Sequence, residues 1–183
     1  MSNRLTKLGF KQIIRYEWID YTLELLLAEM DEDDVREQLI SFLEDKRQSG
    51  GIGARGNKTF GMAVNMLMKI WVDPDDELVA LRDACLEYAK THNYKRKILH
   101  WIMISSAYPF WEKLAGVLGR LFAFQEAVEK QQVINRLKEI YGDRQTVSRN
   151  ARYAITSLIA WGIIGYGEKK GYYTQGKPIE VQD

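Results

Sequence analysis

Residues 131–175 read QQVINRLKEIYGDRQTVSRNARYAITSLIAWGIIGYGEKKGYYTQ. Apolar side chains recur every three or four positions on both sides of the Tyr141–Asp143 segment, so the pattern predicts two amphipathic helices joined by a tight turn. Gly142 can adopt the left-handed backbone conformation that commonly ends a helix. Thr146 or Ser148 can cap the second helix by accepting a hydrogen bond from an unpaired backbone N–H. The pattern therefore predicts a helix-turn-helix.

A short β-ribbon is predicted after the second helix. Residues 161–162 end that helix, and residues 163–164 give a short apolar strand. Residues 165–171 form a turn rich in glycine, from which residues 172–173 return as the partner strand. Two helices joined by a tight turn and followed by such a ribbon have the order of elements of a winged helix-turn-helix, in which the ribbon is the wing.

Polar side chains on the outer face of this unit suit nucleic acid. The stripe predicted to be buried in the second helix consists of Ala151, Ala154, Ile155, Leu158 and Ile159. The first turns of that helix are then exposed, and in helix-turn-helix docking these turns enter the major groove. We therefore expect Arg149 and Asn150 to read bases, Arg144 and Arg152 to contact phosphates, and the wing tip to contact the DNA backbone. The candidate DNA-binding residues of this segment are Arg144, Gln145, Ser148, Arg149, Asn150, Arg152, Lys169 and Lys170.

Charge is separated along a chain whose formal net charge is only +1. Residues 144–177 contain six bases, and Glu168 is their only acid. Residues 24–45 contain nine acids, and Arg36 is their only base. The basic segment suits a polyanion. The acidic segment has three open interpretations: a solvated helix face, a surface for a protein partner, or a surface that repels DNA.

Length and composition exclude several classes of protein. A chain of 183 residues that is 46% hydrophobic can bury a sizeable core. No secretory signal is visible, and the most apolar run, residues 98–111, is shorter than the roughly 18 residues needed to cross a membrane. A cytoplasmic protein with no membrane contact is therefore expected. The single cysteine, Cys85, excludes an internal disulfide.

The region before the helix-turn-helix has a helical pattern throughout. We predict a mainly α protein with a helical bundle over residues 1–112 and a winged helix-turn-helix domain, with its small β-hairpin wing, over residues 113–183. Residues 49–57 are rich in glycine and can be an ordered phosphate-binding loop, a lid or a plain connection. Arg55 and Lys58 lie in or beside this segment and are a second candidate contact with DNA.

Nothing in the sequence points to catalysis, a metal or a cofactor. His92 and His100 are the only histidines, and neither has a second histidine or a carboxylate at the spacing of metal ligands. The acids at residues 31–34 are consecutive, so they fan around a helix and do not converge in a cleft. The sequence therefore predicts no enzyme and no cofactor, although an active site assembled from distant residues stays open.

Two resemblances extend this interpretation. The segments at residues 141–149 and 159–164 and the Lys-Lys-Gly-Tyr-Tyr ribbon resemble winged-helix transcription regulators of the GntR and MarR kind. The predicted organisation of the whole chain resembles that of BrxA, the small DNA-binding component of BREX phage-defence systems. The shared features are a helical N-terminal region, a glycine- and arginine-containing segment near residue 55 and a C-terminal winged module. That resemblance implies sequence-tolerant binding of double-stranded DNA within a multi-protein defence or DNA-processing complex.

A protein-protein adaptor is the alternative from a different class. In that alternative the winged unit and the acidic segment dock partner proteins, since a fold alone does not decide function. The arginines at 144, 149 and 152 discriminate between the two, because an adaptor has little need of three bases with no acid between them. No heptad repeat or other dimer helix is evident, so we expect a monomer or sequence-tolerant binding rather than a dimer that reads two half-sites.

Overall fold

The computed structural model describes residues 8–48 and 57–178. Contacts within the chain define two units. Residues 16–107 form one of them, which we call the helical unit, and residues 8–15 together with residues 108–178 form the other, the mixed unit. The prediction of a mainly helical protein with a small β element is confirmed, since the described residues contain eight α-helices and a three-stranded antiparallel sheet.

The helical unit is built around its first helix. Its helices are α1 (Tyr16–Leu27), α2 (Glu32–Gln48), α3 (Asn57–Leu67), α4 (Val79–Thr91) and α5 (Arg96–Ala107). The first of these contacts the other four, and its buried face includes Ile19 and Leu23. A π-helical turn, Met68–Val72, follows α3 and carries the fully buried Ile70 and Trp71. The apolar spacing of the sequence thus places its large side chains in one core.

A buried polar cluster links three elements of the helical unit. The indole N–H of Trp71, in the π-helical turn, donates to Nδ1 of His100 in α5 at 3.1 Å. Because an indole N–H can only donate, Nδ1 must accept, which places the imidazole proton on Nε2. Nε2 then donates to Oδ1 of Asp20 in α1 at 2.9 Å. Arg96 lies 3.5 Å from the same carboxylate oxygen, and the Tyr16 ring meets His100 edge-on.

The mixed unit contains three helices and three short strands. In chain order they are α6 (Pro109–Phe122), β1 (Ala127–Glu129), α7 (Lys130–Tyr141), α8 (Gln145–Ala160), β2 (Ile164–Tyr166) and β3 (Tyr172–Gln175). The strand order is β1-β3-β2, with both pairs antiparallel. The predicted two-stranded ribbon corresponds to β2 and β3, but β2 begins at Ile164 rather than Ile163. Strand β1 was not predicted, because its three residues are too few to show an alternating pattern.

The turn between α7 and α8 contains the predicted glycine, but the predicted side-chain cap of α8 is absent. Gly142 has φ +86°, in the left-handed region that favours glycine. The predicted cap by Thr146 or Ser148 is wrong, because α8 already begins at Gln145 and its N-cap, Arg144, makes no side-chain capping bond. The side-chain cap belongs instead to α7, where Glu129 and Gln132 form a reciprocal capping box.

Residues 8–15, which we call the strap, are bound to α8. The Ile14 N–H donates to Ser157 Oγ at 2.9 Å, and the Trp161 indole N–H donates to the Ile14 carbonyl at 2.9 Å. Asn150 Nδ2 donates to the Leu8 carbonyl at 3.0 Å. Phe10 is fully buried against Tyr108 and Trp111, with ring centroids 5.6 and 5.4 Å away. The strap therefore forms part of the core of the mixed unit.

Candidate nucleic-acid interface

The inner face of α8 fixes which of its residues point outward. Val147, Ala151, Ala154, Ile155 and Leu158 are buried, which confirms four of the five positions of the predicted stripe; the fifth, Ile159, is half-buried. A helix turns by about 100° per residue, so the opposite stripe passes through Gln145, Arg149, Arg152 and Thr156. The first three of these are exposed, and Thr156 is half-exposed.

The arginines on this outer stripe are free to bind a ligand. Neither the Arg149 nor the Arg152 guanidinium forms a hydrogen bond or an ion pair with any residue that the structure describes. The acids nearest in sequence are already paired: Asp143 accepts from Lys138 Nζ at 2.6 Å, and Glu139 accepts from Arg136 at 3.0 Å. The outer stripe of α8 therefore keeps its positive charge.

Two other predicted contact residues, Arg144 and Ser148, are only partly available. Arg144 has a hydrogen-bond partner in the turn between α7 and α8, and Ser148 is half-buried. Arg144 is exposed, but its Nη2 donates to the Tyr141 carbonyl at 2.7 Å. This bond satisfies a carbonyl at the end of α7, where unpaired acceptors accumulate. Ser148 is half-buried on the side of α8 that precedes Arg149. Arg144 therefore stabilises the turn and still offers the rest of its guanidinium to solvent.

Asn150 requires a correction. The prediction that it is exposed and reads bases is wrong, because it is only 3% exposed and its amide donates to the Leu8 carbonyl. One residue beyond Arg149, it lies about 100° further round the helix, on the side that the strap covers. No pattern within residues 131–175 could reveal this, because the covering segment comes from the other end of the chain. The role of Asn150 is to hold the strap.

The turn between β2 and β3 carries exposed lysines. The connection between β2 and β3 runs from Gly167 to Gly171, and Glu168, Lys169 and Lys170 within it are exposed. Lys169 Nζ lies 5.0 Å above the Tyr172 ring, an arrangement that favours a cation over an aromatic face. The Lys130 N–H donates to the Gly171 carbonyl at 2.8 Å. This bond ties the end of the β2–β3 turn to the first residue of α7.

The second candidate contact from the sequence cannot be placed. Arg55 and the side chain of Lys58 lie outside the described residues. The part of the acidic segment that lies on α2 has exposed acids, including Glu32, Asp33 and Asp34 in the first turn. Asp31 accepts a hydrogen bond from the Asp34 N–H at 3.0 Å, as an N-capping residue does. The acids in the first turn of α2 therefore have a structural role within the helix itself, since carboxylates stabilise the positive end of a helix dipole.

Other features of the helical unit do not form a comparable site. An open cleft of about 720 Å³ is lined by residues that include Arg36, Asn65, Lys69 and Asp75. Four of its polar side chains bond in pairs, with Lys69 Nζ 2.7 Å from Asp75 and Arg36 donating to Asn65 at 2.9 Å. Across residues 8–48 and 57–178, no three His, Cys, Asp or Glu side chains are grouped as metal ligands. Within the same ranges, no helix combines the length and the apolar character needed to cross a membrane.

Comparison with known proteins found no matching family model, no significantly similar curated protein and no significantly similar solved structure. The interface is therefore interpreted from its own geometry and charge.

Proposed function

We propose that the mixed unit is a winged helix-turn-helix that binds double-stranded DNA, with α8 in the major groove and the wing along a neighbouring phosphate backbone. The order α6, β1, α7, α8, β2, β3 and the strand order β1-β3-β2 support this assignment. The observation that carries it is the outer stripe of α8, where the exposed Arg149 and Arg152 have no partner among the described residues. Such a stripe complements a polyanion.

Each exposed polar residue of the interface has a distinct role in this proposal. Gln145 and Arg149 stand on the first turns of α8, where side chains reach base edges; arginine pairs with guanine and glutamine with adenine. Arg152, one turn later, contacts a phosphate, as do Lys169 and Lys170 from the wing. The Arg144 guanidinium donates to the Tyr141 carbonyl in the turn and, in this proposal, also contacts a phosphate of the DNA. Asn150 reads no base, because its amide is buried on the strap.

Binding of this kind tolerates many sequences. Base readout rests on two side chains, Gln145 and Arg149, whereas the remaining contacts go to phosphates and carry no sequence information. The resemblance to BrxA supports a place for this protein in a phage-defence or DNA-processing complex, and it implies that other proteins of that complex are partners. Co-purification of the tagged protein with such components is the expected result in a host that carries them.

The direct test is a binding isotherm on random and genomic duplexes at several salt concentrations. The affinity should fall steeply with salt, since each phosphate contact adds about 0.9 to the slope of log K against log salt concentration. Random and genomic duplexes should bind with similar affinity. Absence of binding at low salt, or affinity that does not change with salt, contradicts the proposal.

Protein docking through α2 is the second candidate function. The observation that favours it is the row of exposed acids at residues 31–34 together with Glu37. A basic partner surface would be steered to this helix by charge. Replacing Asp33, Asp34 and Glu37 by their amides should abolish capture of such a partner and leave DNA binding unchanged. If the same variant loses DNA affinity, the two functions are not separate.

A further inference from the structure

The turn end of the β2–β3 hairpin carries an aromatic ring that the core does not use. Tyr166, the last residue of β2, is 73% exposed, whereas Tyr173, its cross-strand partner, is buried. The two side chains share one face of the sheet, and their ring centroids are 6.3 Å apart. Tyr173 therefore supplies the packing of this face, and most of the Tyr166 ring remains in contact with water.

The position of Tyr166 in the sheet explains its exposure. The strand order is β1-β3-β2, so among the described residues β2 is an edge strand and Tyr166 has a neighbouring strand on one side only. A side chain two residues before Tyr173 would lie diagonally across from Tyr166, within reach of its ring. The residue there is Gly171, which has no side chain. The ring is therefore left open to a ligand.

Two lysines follow this ring, three and four residues further along the chain. Both are exposed, and the Lys170 ammonium group has no hydrogen bond or ion pair with any described residue. The Lys169 ammonium group is held 5.0 Å from the centroid of the Tyr172 ring. Glu168 is the only acid of the turn Gly167–Gly171, so the turn carries a net positive charge.

Backbone hydrogen bonds hold this turn in one shape. The Gly167 N–H donates to the Tyr172 carbonyl at 2.9 Å, and the Tyr172 N–H donates to the Lys169 carbonyl at 3.1 Å. The bond from the Lys130 N–H to the Gly171 carbonyl adds an anchor on α7. A tyrosine side chain has few rotatable bonds, so it loses little conformational freedom when its ring meets a ligand. The site is thus largely preorganised, which favours binding.

An exposed aromatic ring beside cations suits an unpaired nucleobase and the phosphates next to it. Stacking on a tyrosine requires the π-face of a base, and every base has one. Inside a duplex both faces of a base are covered by its neighbours, so a side chain reaches them only where the stack is opened. A single-stranded segment offers free base faces together with phosphates that lysines can bind.

We infer that the β2–β3 turn binds the unpaired strand at a junction between duplex and single-stranded DNA, with the Tyr166 ring stacked on a base and Lys169 and Lys170 on the adjacent phosphates. This inference names the kind of DNA that the hairpin takes, and it rests on the proposed function for the duplex part of that substrate. A duplex with a single-stranded overhang is therefore a better substrate than a blunt duplex.

The test measures binding of the full chain to fluorescently labelled DNA by anisotropy. Two substrates share one duplex and one overhang length, but the second has abasic residues throughout its overhang, so it keeps the phosphates and lacks the bases. The wild type should bind the overhang with bases about 5- to 150-fold more tightly, the range expected for stacking of a base on an aromatic ring. A blunt duplex of the same sequence is the third substrate.

Variants of the hairpin assign this preference. Tyr166→Ala should bind the two overhang substrates equally, whereas Tyr166→Phe keeps the ring and should retain the preference. The matched control is Phe124→Ala, which removes a ring that is 93% exposed elsewhere in the same unit and should leave the preference unchanged. Lys169→Gln with Lys170→Gln should weaken binding to both overhang substrates by the same factor, since both contain the phosphates. Urea unfolding of each variant verifies that the fold is kept.

The inference is overturned if the wild type does not distinguish the two overhangs, if Tyr166→Ala retains the preference, or if Phe124→Ala removes it. The double variant Arg149→Ala, Arg152→Ala tests the proposed function separately. If that variant weakens binding to the blunt duplex while the wild type does not distinguish the overhangs, the proposed function stands and the inference fails. If the wild type does not bind the blunt duplex but Tyr166→Ala abolishes a preference for the overhang with bases, the proposed function fails and the stacking site stands. Both fail if no substrate is bound.

Discussion

Trp71 and His100 share a buried hydrogen bond in which the indole N–H donates to Nδ1 over 3.1 Å. This bond requires a neutral imidazole, because a protonated Nδ1 would turn a second donor toward the indole. Burial lowers the pKa of His100 below its usual value of 6.5, although the hydrogen bond to Asp20 acts in the opposite direction. Burial alone would raise the pKa of Asp20, but the hydrogen bond from His100 and the positive charge of Arg96 outweigh it and lower that pKa.

The helical unit should therefore lose stability in acid. When the pKa of a histidine is lower in the folded state than in the unfolded state, its contribution to stability is complete at a pH above the unfolded-state pKa of about 6.5. That contribution decreases progressively as the pH falls below this value. The expected slope is up to about 1.4 kcal/mol per pH unit for one proton. The lowered pKa of Asp20 adds a second loss as the pH falls below 3.8. Urea unfolding between pH 8 and pH 5, followed by tryptophan fluorescence, measures the first of these.

Two substitutions assign that pH dependence. His100→Gln cannot titrate, so its free energy of unfolding should be lower than that of the wild type at pH 8 and nearly constant down to pH 5. His92→Gln alters the other histidine, which stacks on Tyr88 at the surface, and should keep the wild-type profile. The assignment to His100 is contradicted if the free energy of unfolding of the wild type does not change between pH 8 and pH 5. It is also contradicted if His92→Gln abolishes the pH dependence. The hydroxyl of Tyr16, whose pKa burial raises to about 12, stays protonated throughout this range.

The substitution Asn150→Ala distinguishes the structural role of this residue from the base-reading role that its position in the sequence suggests. Loss of the amide leaves the partly buried Leu8 carbonyl without its donor, which should cost about 0.5–1.5 kcal/mol of unfolding free energy. Gln145→Ala, at an exposed position of the same helix, should change stability by less than about 0.5 kcal/mol. Chemical unfolding measures both. The opposite result is an Asn150→Ala variant that is as stable as the wild type but binds DNA with an altered base preference. That result would restore the base-reading role.

Asn150 also shows how far the sequence alone reaches. The inward face of α8 and the glycine at Gly142 follow from spacing within about thirty residues, because local periodicity reports which side of a helix meets a core. The cover over Asn150 comes from residue 8, at a separation that no local pattern contains. The exposed Arg149 was predictable and the buried Asn150 was not, although the two are neighbours.

The sheet shows a second limit. The strands β2 and β3 were visible from their turn residues, whereas β1 has only three residues and is defined by its pairing with β3, such as Val128 opposite Tyr173. Its C-terminal end is set by Glu129, which is the last residue of the strand and caps α7. A strand this short has too few positions to show a period of two, so tertiary pairing decides it.

Gly176 is expected to be the least replaceable glycine of the mixed unit. A Cβ at this position would meet the Gly162 carbonyl oxygen and the Ile163 carbonyl group, both of them backbone. The Gly176 N–H also donates to the Ile163 carbonyl at 2.9 Å, which fixes the close approach. Gly176→Ala should therefore force the base of the β2–β3 hairpin apart and cost more than about 2 kcal/mol of unfolding free energy.

The matched control is Gly119→Ala in α6, where a Cβ would meet nothing within 4 Å. There the substitution should stabilise the helix by about 0.5–1 kcal/mol, because alanine loses less conformational freedom than glycine on folding. Thermal unfolding of the two variants compares them directly. Equal effects of the two substitutions would show that the close contact at Gly176 is not rigid.

Arg149 and Arg152 give the sharpest prediction for DNA binding. Both are exposed, so Arg149→Ala and Arg152→Ala should each leave the free energy of unfolding within about 0.5 kcal/mol of the wild type. Arg152→Ala should lower the log–log salt slope by about 0.9 and weaken binding equally on all duplexes. Arg136→Ala removes an exposed arginine of α7 that is already paired with Glu139, and it serves as the control with an unchanged slope.

Arg149→Lys separates base reading from phosphate contact at the proposed reader. Lysine keeps the charge but lacks the planar fork that pairs with two acceptors of guanine, so a base-reading Arg149 should lose discrimination of about 1–3 kcal/mol between guanine and other bases when it becomes lysine. A phosphate-binding Arg149 should lose little, because lysine also binds phosphate as a point charge. Competition between duplexes that differ in guanine content measures the difference. Since the proposed binding depends mostly on phosphates, Arg149→Lys should retain most of the affinity for random DNA, and a loss as large as that of Arg149→Ala would contradict this division of roles.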